Sequence, residues 1–363
     1  MTLAQRFGTF SSSRCFVTME TERAFRIPAK TGSARQRSAG LLLIAALTPV
    51  LSACSGVQSA LDPAGEESGQ VARLFWVMIA GGLQIWTFVV ALSLYASRWK
   101  REPLPEDRAA RVIFWGGAML PVTVLAALLA YALWLMPSLR PIAGSDDATL
   151  RIEVTGRQFW WHVVYQRPNG VSVVSANEIR LPVGERVEFA LTSTDMIHSF
   201  WIPALGGKMD LIPGRQNRLS LKPTKVGTYR GQCAEFCGTS HALMAFPAIV
   251  MEGAAFDAWL NARSRPSSGV EAPGMGRALF ERERCGSCHR IAGTPWQATA
   301  GPDLSHVGSR LTVGAGQLAS GSEALASFIA DASAVKSGAH MPANSHLSAA
   351  ELTEIATWLK GLQ

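Results

Sequence analysis

Two long apolar stretches constrain the fold of this chain more than any other feature. Leu74 to Ala96 and Val112 to Ser138 contain no charged residue, and each is longer than the roughly 20 residues that a helix needs to cross a bilayer. The segment between them is basic and contains Arg98, Lys100, Arg101, Arg108 and Arg111. Because basic loops stay in the cytoplasm, we expect a transmembrane hairpin over residues 54–140, with spans at about 74–96 and 112–138 and both ends outside.

The N-terminal segment has the pattern of an exported protein. Arg35 and Arg37 precede the apolar run AGLLLIAALTPVLSAC, which ends at Cys54 and is too short to span a bilayer comfortably. We therefore expect residues 1–53 to be a leader and signal peptide. The end of this run resembles a bacterial lipoprotein signal, which predicts that Cys54 is acylated; an ordinary signal with a chance cysteine is the alternative.

Net charge gives no indication of a nucleic-acid partner. The leader contains seven Lys or Arg and two Glu, so it accounts for +5 of the formal net charge of +7. No basic stripe with interleaved aromatic residues follows it, and such a stripe is typical of nucleic-acid binding.

The chain becomes polar and β-like after the second apolar stretch. LRIEVTGRQFWWHVVYQ and GERVEFALTSTD alternate apolar and polar residues and are rich in β-branched and aromatic types, a pattern typical of half-buried strands. Several short strands separated by turn signals predict an all-β sandwich or barrel over residues 141–260.

The run GQCAEFCGTSHALM near the end of this β region collects metal-binding side chains. Cys233, Cys237, His241 and Met244 are four, four and three residues apart, a spacing that a buried helical stripe would also give. Structural zinc is a second alternative, since it prefers cysteine and histidine. Thiolates, imidazole and a thioether together favour copper, and His198 in DMIHSFWIP supplies an upstream histidine.

A second motif, CGSCHR, indicates a covalent haem. Cys285 and Cys288 are spaced for two thioether bonds and His289 for the proximal iron ligand; a chance match or a zinc pair is the alternative. The polar segment 261–273 reads as a linker, so residues 274–363 form a separate all-α domain that resembles a monohaem cytochrome c. That resemblance makes Met341 the sixth iron ligand, with His340 and His346 as competitors.

Two further expectations concern the C-terminal domain. Ser348 and Glu351 form a capping box that predicts the start of its last helix. His306 is expected to be a peripheral polar contact near the haem and not a ligand.

The β-region motifs resemble those of subunit II of haem-copper cytochrome c oxidase. HSFWIPALGGKMDLIPGR followed by GQCAEFCGTSHALM carries the resemblance, which covers roughly residues 60–260. It implies a cupredoxin-like domain with a dinuclear copper centre, Cu-A. Its implied ligands are His198, Cys233, Glu235 through its carbonyl, Cys237, His241 and Met244. The resemblance also assigns the Glu235 side chain to a magnesium ion shared with subunit I.

The fused cytochrome makes the resemblance that of a caa-type oxidase subunit. Its implied partners are subunits I and III, the lipid membrane and a donor such as a cytochrome c or a quinol–cytochrome c reductase. Electrons would pass through haem c and Cu-A to subunit I, where oxygen is reduced to water with proton pumping. The copper and haem domains would lie outside the bacterial inner membrane. A nitric oxide reductase subunit and a membrane-tethered electron carrier are the alternatives.

One aromatic run departs from the family pattern. Many relatives have Gly-His-Gln-Trp, whose tryptophan accepts electrons, whereas this chain has Phe159 there, followed by Trp160 and Trp161. We predict that these three residues carry the electron path and that the haem domain docks beside Phe159 and Trp160.

Overall fold

The architecture combines two long helices, a β-sandwich and a helical C-terminal domain, which confirms the predicted multidomain fold class. The computed structural model describes residues 55–99, 103–139, 150–167, 170 and 172–363. The predicted leader and Cys54 lie outside the described residues.

The helical hairpin accounts for the two apolar stretches. Two of its described helices, Glu66–Arg98 and Glu106–Pro137, are long and apolar enough to cross a membrane. The first is α1; the second consists of α2 (Glu106–Val112), a π-helical segment (Ile113–Met119) and the start of α3 (Leu120–Leu139). Apolar side chains such as Trp86 and Leu125 are more than half exposed on these helices, as lipid-facing residues would be.

The first turn of α1 belongs to the β domain and precedes the predicted span. Glu67 is 4% exposed, and its carboxylate lies 2.6 Å from Arg186 Nη1 and accepts a hydrogen bond from the Lys222 amide at 3.0 Å. The Ala64 amide also donates to Ala204 O. These contacts fix the start of the helix to the sandwich.

The β domain consists of two five-stranded sheets. Their orders are β3-β2-β1-β5-β8 and β4-β10-β9-β6-β7. The strands are β1 (Leu150–Arg157), β2 (Trp160–Gln166), β3 (Ser172–Ala176), β4 (Ile179–Pro182), β5 (Val187–Ser193), β6 (His198–Trp201), β7 (Met209–Leu211), β8 (Asn217–Leu221), β9 (Gly227–Cys233) and β10 (Ala245–Met251). Burial alternates along β1 and β2, as the sequence pattern predicts.

Aromatic rings from both sheets fill the sandwich core. Trp161 on β2 is fully buried, and its ring lies 5.9 Å from Phe200 on β6 and 5.4 Å from Phe246 on β10. Phe200 and Phe246 stack at 5.0 Å. This core forms directly beneath the strands that carry the copper motif, so it supports their geometry.

The C-terminal domain is helical, with one short β ribbon. Its elements are α5 (Met275–Arg282), α6 (Ser322–Ala330), α7 (Ala332–Val335), α8 (Ala349–Gly361), β11 (Thr312–Val313) and β12 (Leu318–Ala319). Helix α8 begins with the predicted capping box, in which Ser348 and Glu351 bond reciprocally. Ile355, Ala356 and Leu359 on its apolar face are buried.

The predicted linker is packed against the protein. Helix α4 (Gly253–Arg263) extends past residue 260, and Val270 is 2% exposed within the core of the cytochrome domain. A single apolar residue in a Pro/Ser/Gly-rich segment gives no periodic signal, so the sequence did not reveal this packing.

Candidate functional site

The copper motif connects two neighbouring strands of one sheet. Cys233 is the last residue of β9, and Met244 directly precedes β10, its antiparallel partner. The Cys233 amide donates to Met244 O at 2.9 Å, which closes the base of the loop. His198 begins β6 on the other side of β9, where Phe200 pairs with Cys233. The antiparallel ladder therefore brings His198 beside a loop 35 residues further along the chain.

The predicted copper ligands converge at this loop. The two cysteine sulfurs are 3.8 Å apart. His198 Nδ1 lies 3.9 Å from Cys233 Sγ, and His241 Nδ1 lies 3.6 Å from Cys237 Sγ. Met244 Sδ is 3.9 Å from Cys237 Sγ. A metal-sized cluster of His198, Cys233 and Cys237 is buried here, and this donor set suits copper.

A second layer of contacts orients the ligand residues. Asp195 Oδ1 lies 2.8 Å from His198 Nε2, which leaves Nδ1 facing the sulfurs. Gln158 Nε2 donates to Cys237 O at 2.7 Å. Gly238 has φ +120°, and a Cβ there would lie 3.1 Å from the Phe159 ring. Glycine therefore permits both the turn and the close approach of Phe159.

The two thiols affect each other's protonation. The hydrogen bond from the Cys237 thiol lowers the pKa of Cys233 to about 3, and the resulting thiolate raises the pKa of Cys237. Burial alone would lower the pKa of His198, but the hydrogen bonds with Cys233 and Asp195 raise it overall. The metal-free site therefore retains protons that a metal ion must displace.

Glu235 lies between the two cysteines in the sequence. Its backbone carbonyl faces Cys233, and its carboxylate faces Lys208. Its carbonyl oxygen accepts a hydrogen bond from Cys233 Sγ at 3.2 Å. Its carboxylate is 45% exposed and lies 3.4 Å from Lys208 Nζ, which also contacts Asp210. The side chain is thus paired with a cation among the described residues of this chain.

The haem motif opens on a cavity of about 360 Å³. Cys285, Cys288, His289 and Met341 line it from the C-terminal domain. Residues of the β domain complete the wall: Gln158, Phe159, Trp160 and Asn177. The cavity thus lies between the two domains. We refer to the segment from Cys233 to Met244 as the copper loop. Gln158 in the cavity wall donates a hydrogen bond to Cys237 O of this loop.

The predicted proximal histidine is oriented by the backbone. His289 Nδ1 donates to Pro302 O at 2.8 Å, which leaves Nε2 available to an iron atom. Burial lowers the pKa of His289, so the ring is held in the neutral form that ligates metals. A Cβ at Gly301 would lie 2.5 Å from His289 Cε1, so only glycine lets this segment approach the ring.

The remaining histidines of the C-terminal domain differ in position. His340, like Met341, lines the cavity. His346 is exposed and lies 2.8 Å from Glu283, outside the cavity lining. His306, interpreted from the sequence as a polar contact near the haem, instead contacts Arg263 Nη1 and Arg265 O, each at 3.1 Å.

The three aromatic residues of the predicted electron path have different surroundings. Phe159 is 6% exposed and, like Trp160, lines the cavity. Arg157 lies over the Trp160 ring at 5.3 Å. Trp161 points into the sandwich core, 6.3 Å from the His198 ring. Phe159 and Trp160 therefore face the cavity, and Trp161 lies beside His198, a predicted copper ligand.

Comparison with known proteins matches both domains. The family model for the cytochrome c oxidase subunit II periplasmic domain matches residues 166–253, and the cytochrome c model matches residues 275–363. Cytochrome c oxidase subunit 2 of Alkalihalophilus pseudofirmus is 32% identical over 336 residues, which cover 87% of this chain and 95% of that protein. The chain belongs to the family of cytochrome c oxidase subunit 2.

Two further relatives extend this comparison. The Bacillus subtilis cytochrome c oxidase subunit 2 is 29% identical over 353 residues, covering 89% of this chain and 97% of that protein. The crystal structure of the periplasmic domain of subunit II of cytochrome oxidase of Bradyrhizobium japonicum is 34% identical, with a TM-score of 0.30; it covers 32% of this chain and 94% of that structure.

Family membership confirms the caa-type prediction, a subunit 2 with a fused C-terminal cytochrome c. The two matched domains imply copper and haem c. The relatives imply association with other oxidase subunits. The two apolar helices and the periplasmic-domain match fit a membrane-anchored protein.

Copper uptake by the metal-free subunit 2 should release protons and tighten as pH rises. Cys237, whose pKa is raised, must lose its proton, and His198 must be neutral to bind. Titrating copper(I) into weakly buffered protein at several pH values measures the copper affinity and the number of protons released. The Cys237→Ser variant should release fewer protons. An affinity that did not change with pH would contradict the proposed ligand set.

Proposed function

We propose that this chain is the electron-transfer subunit of a membrane-bound oxidase that reduces oxygen to water in subunit I and pumps protons. Electrons from a cytochrome c or a quinol–cytochrome c reductase would reach haem c, then dinuclear Cu-A, then subunit I. One observation carries the proposal: the cavity that presents the haem-binding residues is walled by Gln158, Phe159 and Trp160, next to the copper loop. Subunit III completes the proposed complex.

The residues at the copper loop are suited to fast electron transfer. Copper bound here would supply reversible one-electron redox chemistry. Cys233 and Cys237, with sulfurs 3.8 Å apart, would together hold the copper through their thiolates. His198, His241, Met244 and the Glu235 carbonyl are placed around them. The buried sandwich core holds these side chains, so their positions need to change little when the charge of the site changes.

The cavity residues fit a covalent haem c. Cys285 and Cys288 are free thiols among the described residues, and burial raises the pKa of Cys285 to about 11. His289 and Met341, which both line the cavity, would hold the haem iron. Arg310, a buried guanidinium that lines the cavity, is suited to a haem propionate. Apolar neighbours such as Leu325 and Ile329 exclude water from the ring.

The magnesium site needs ligands that this chain does not provide among its described residues. Glu235 contributes one carboxylate, which pairs with Lys208, whereas magnesium requires several oxygen ligands. A shared site would therefore depend on oxygen ligands from subunit I and on displacement of Lys208.

The proposed location follows from the hairpin and the leader. A signal peptide over residues 1–53, acylation at Cys54 and spans at 74–96 and 112–138 would anchor the chain in the bacterial inner membrane. The copper and haem domains would then lie on the periplasmic side, where the donor is found.

Measurement of turnover in the purified complex tests the function. We expect oxygen consumption with reduced cytochrome c, and loss of at least tenfold when residues 274–363 are deleted, because the covalent haem would then be missing. The deletion should leave copper bound, which metal analysis checks. Nitric oxide consumption without oxygen consumption would support the reductase alternative. Undiminished oxidation of cytochrome c by the truncated complex would contradict the proposed order of carriers.

Met341→Ala should retain covalent haem but lose the sulfur-to-iron charge-transfer band and lower the haem potential. A thioether ligand stabilises ferrous iron, so its removal favours the oxidised form. Optical spectra and redox titration measure both effects, and haem staining on a denaturing gel confirms attachment. His346→Ala is the matched control, since His346 lies outside the cavity. Survival of the band would mean that a sulfur atom other than that of Met341 binds the iron. Absence of the band from the unsubstituted chain would favour His340, which also lines the cavity.

A further inference from the structure

The cytochrome domain docks directly on the copper loop. Ser240 Oγ and Thr239 Oγ1 donate to Ser337 O at 2.6 and 3.0 Å. Gln317 Nε2 donates to Leu243 O at 2.8 Å, and the Ala245 amide donates to Ala315 O at 3.1 Å. These bonds join the loop between β9 and β10, and the first residue of β10, to two segments of the cytochrome domain: residues 315–317 and Ser337. The two proposed redox sites therefore meet along one continuous hydrogen-bonded seam.

Lys336 occupies the centre of this seam. It is 3% exposed, and its ammonium donates to the Phe159 carbonyl of the copper domain and to Gly314 O of the cytochrome domain, the latter at 3.2 Å. It also lines the haem cavity. Among the described residues it has no carboxylate partner in hydrogen-bond or ion-pair contact.

A buried lysine without a counter-ion is unfavourable unless another interaction compensates. Burial lowers the pKa of Lys336 to about 7, whereas negative charge at Cys237 raises it. Two backbone carbonyls, of Phe159 and Gly314, solvate the ammonium form. The position of this charge, between the haem cavity and the sulfur pair, suggests that it acts on both.

We propose that Lys336 is a positioning residue for electron transfer between the domains: its ammonium fastens Phe159 to Gly314 and places a positive charge between the haem cavity and the copper loop. This proposal rests on the proposed function. The hydrogen bonds keep Phe159 in the cavity wall. The charge stabilises the reduced, more negative state of each redox group, and so raises their potentials.

Two substitutions separate the bridging role of Lys336 from its charge. Lys336→Met has a similar shape but neither donates nor carries charge, whereas Lys336→Gln can donate but is neutral. Lys225→Met is the matched control, because Lys225 pairs with Asp62 at the surface, where its side chain is 57% exposed. Each variant is made in the full chain, loaded with haem and copper. The haem and copper potentials and the haem-to-copper rate after flash photoreduction are measured.

We expect Lys336→Met to lower both potentials and to slow the internal transfer roughly tenfold, because the Phe159 carbonyl and Gly314 O then lose their shared charged donor. Lys336→Gln should lower the potentials with a smaller loss of rate. Potentials and rates of both variants equal to those of Lys225→Met would overturn the proposal. If Lys336→Met fails to retain haem, the potentials of Lys336→Gln decide the question.

Failure of the proposed function can be distinguished from failure of the Lys336 proposal by measurements on the unsubstituted chain. It would appear in the unsubstituted chain, as absence of haem, of copper or of electron transfer between them. Failure of the Lys336 proposal would leave that transfer intact in the unsubstituted chain and in every variant.

Discussion

The contact between the copper loop and the cytochrome domain is the constraint on which the haem site and its alignment with the copper loop depend. Ser240, Thr239 and Gln317 donate across it to backbone carbonyls, so the two domains are aligned by directional bonds as well as by apolar packing. Because Phe159 and Trp160 form part of the cavity wall, the haem site is complete only when the domains are docked. The arrangement replaces diffusional encounter with a fixed interface.

The sequence predicted those parts of the structure that arise from local patterns. The Cys233 to Met244 spacing fits a loop between adjacent antiparallel strands, and Ser348 and Glu351 identified the start of α8 because a capping box lies within a single turn. Period-two alternation identified β1 and β2. His198 lies 35 residues before Cys233, so local spacing could not place it beside the copper motif; the expected β fold and the family resemblance did.

Contacts between distant segments could not be predicted in this way. Lys336 appears in the sequence as an ordinary polar loop residue, and its partner Phe159 is 177 positions away. Glu67 reads as a solvated residue before the membrane span, yet it is buried against Arg186. Both are charged groups buried through tertiary packing, which overrides the usual preference of such residues for the surface. The ligand roles of the site residues stay predictions that need metal and haem.

The central claim is that haem c and copper exchange electrons within a docked interface and not through a tethered, mobile domain. The most direct measurement is the haem-to-copper transfer rate after flash photoreduction of the full chain, at increasing solvent viscosity and ionic strength. A docked interface requires no encounter and no large domain movement, so the rate should remain constant. A rate that falls in proportion to viscosity would show that the domains must move together before each transfer, and would contradict the account.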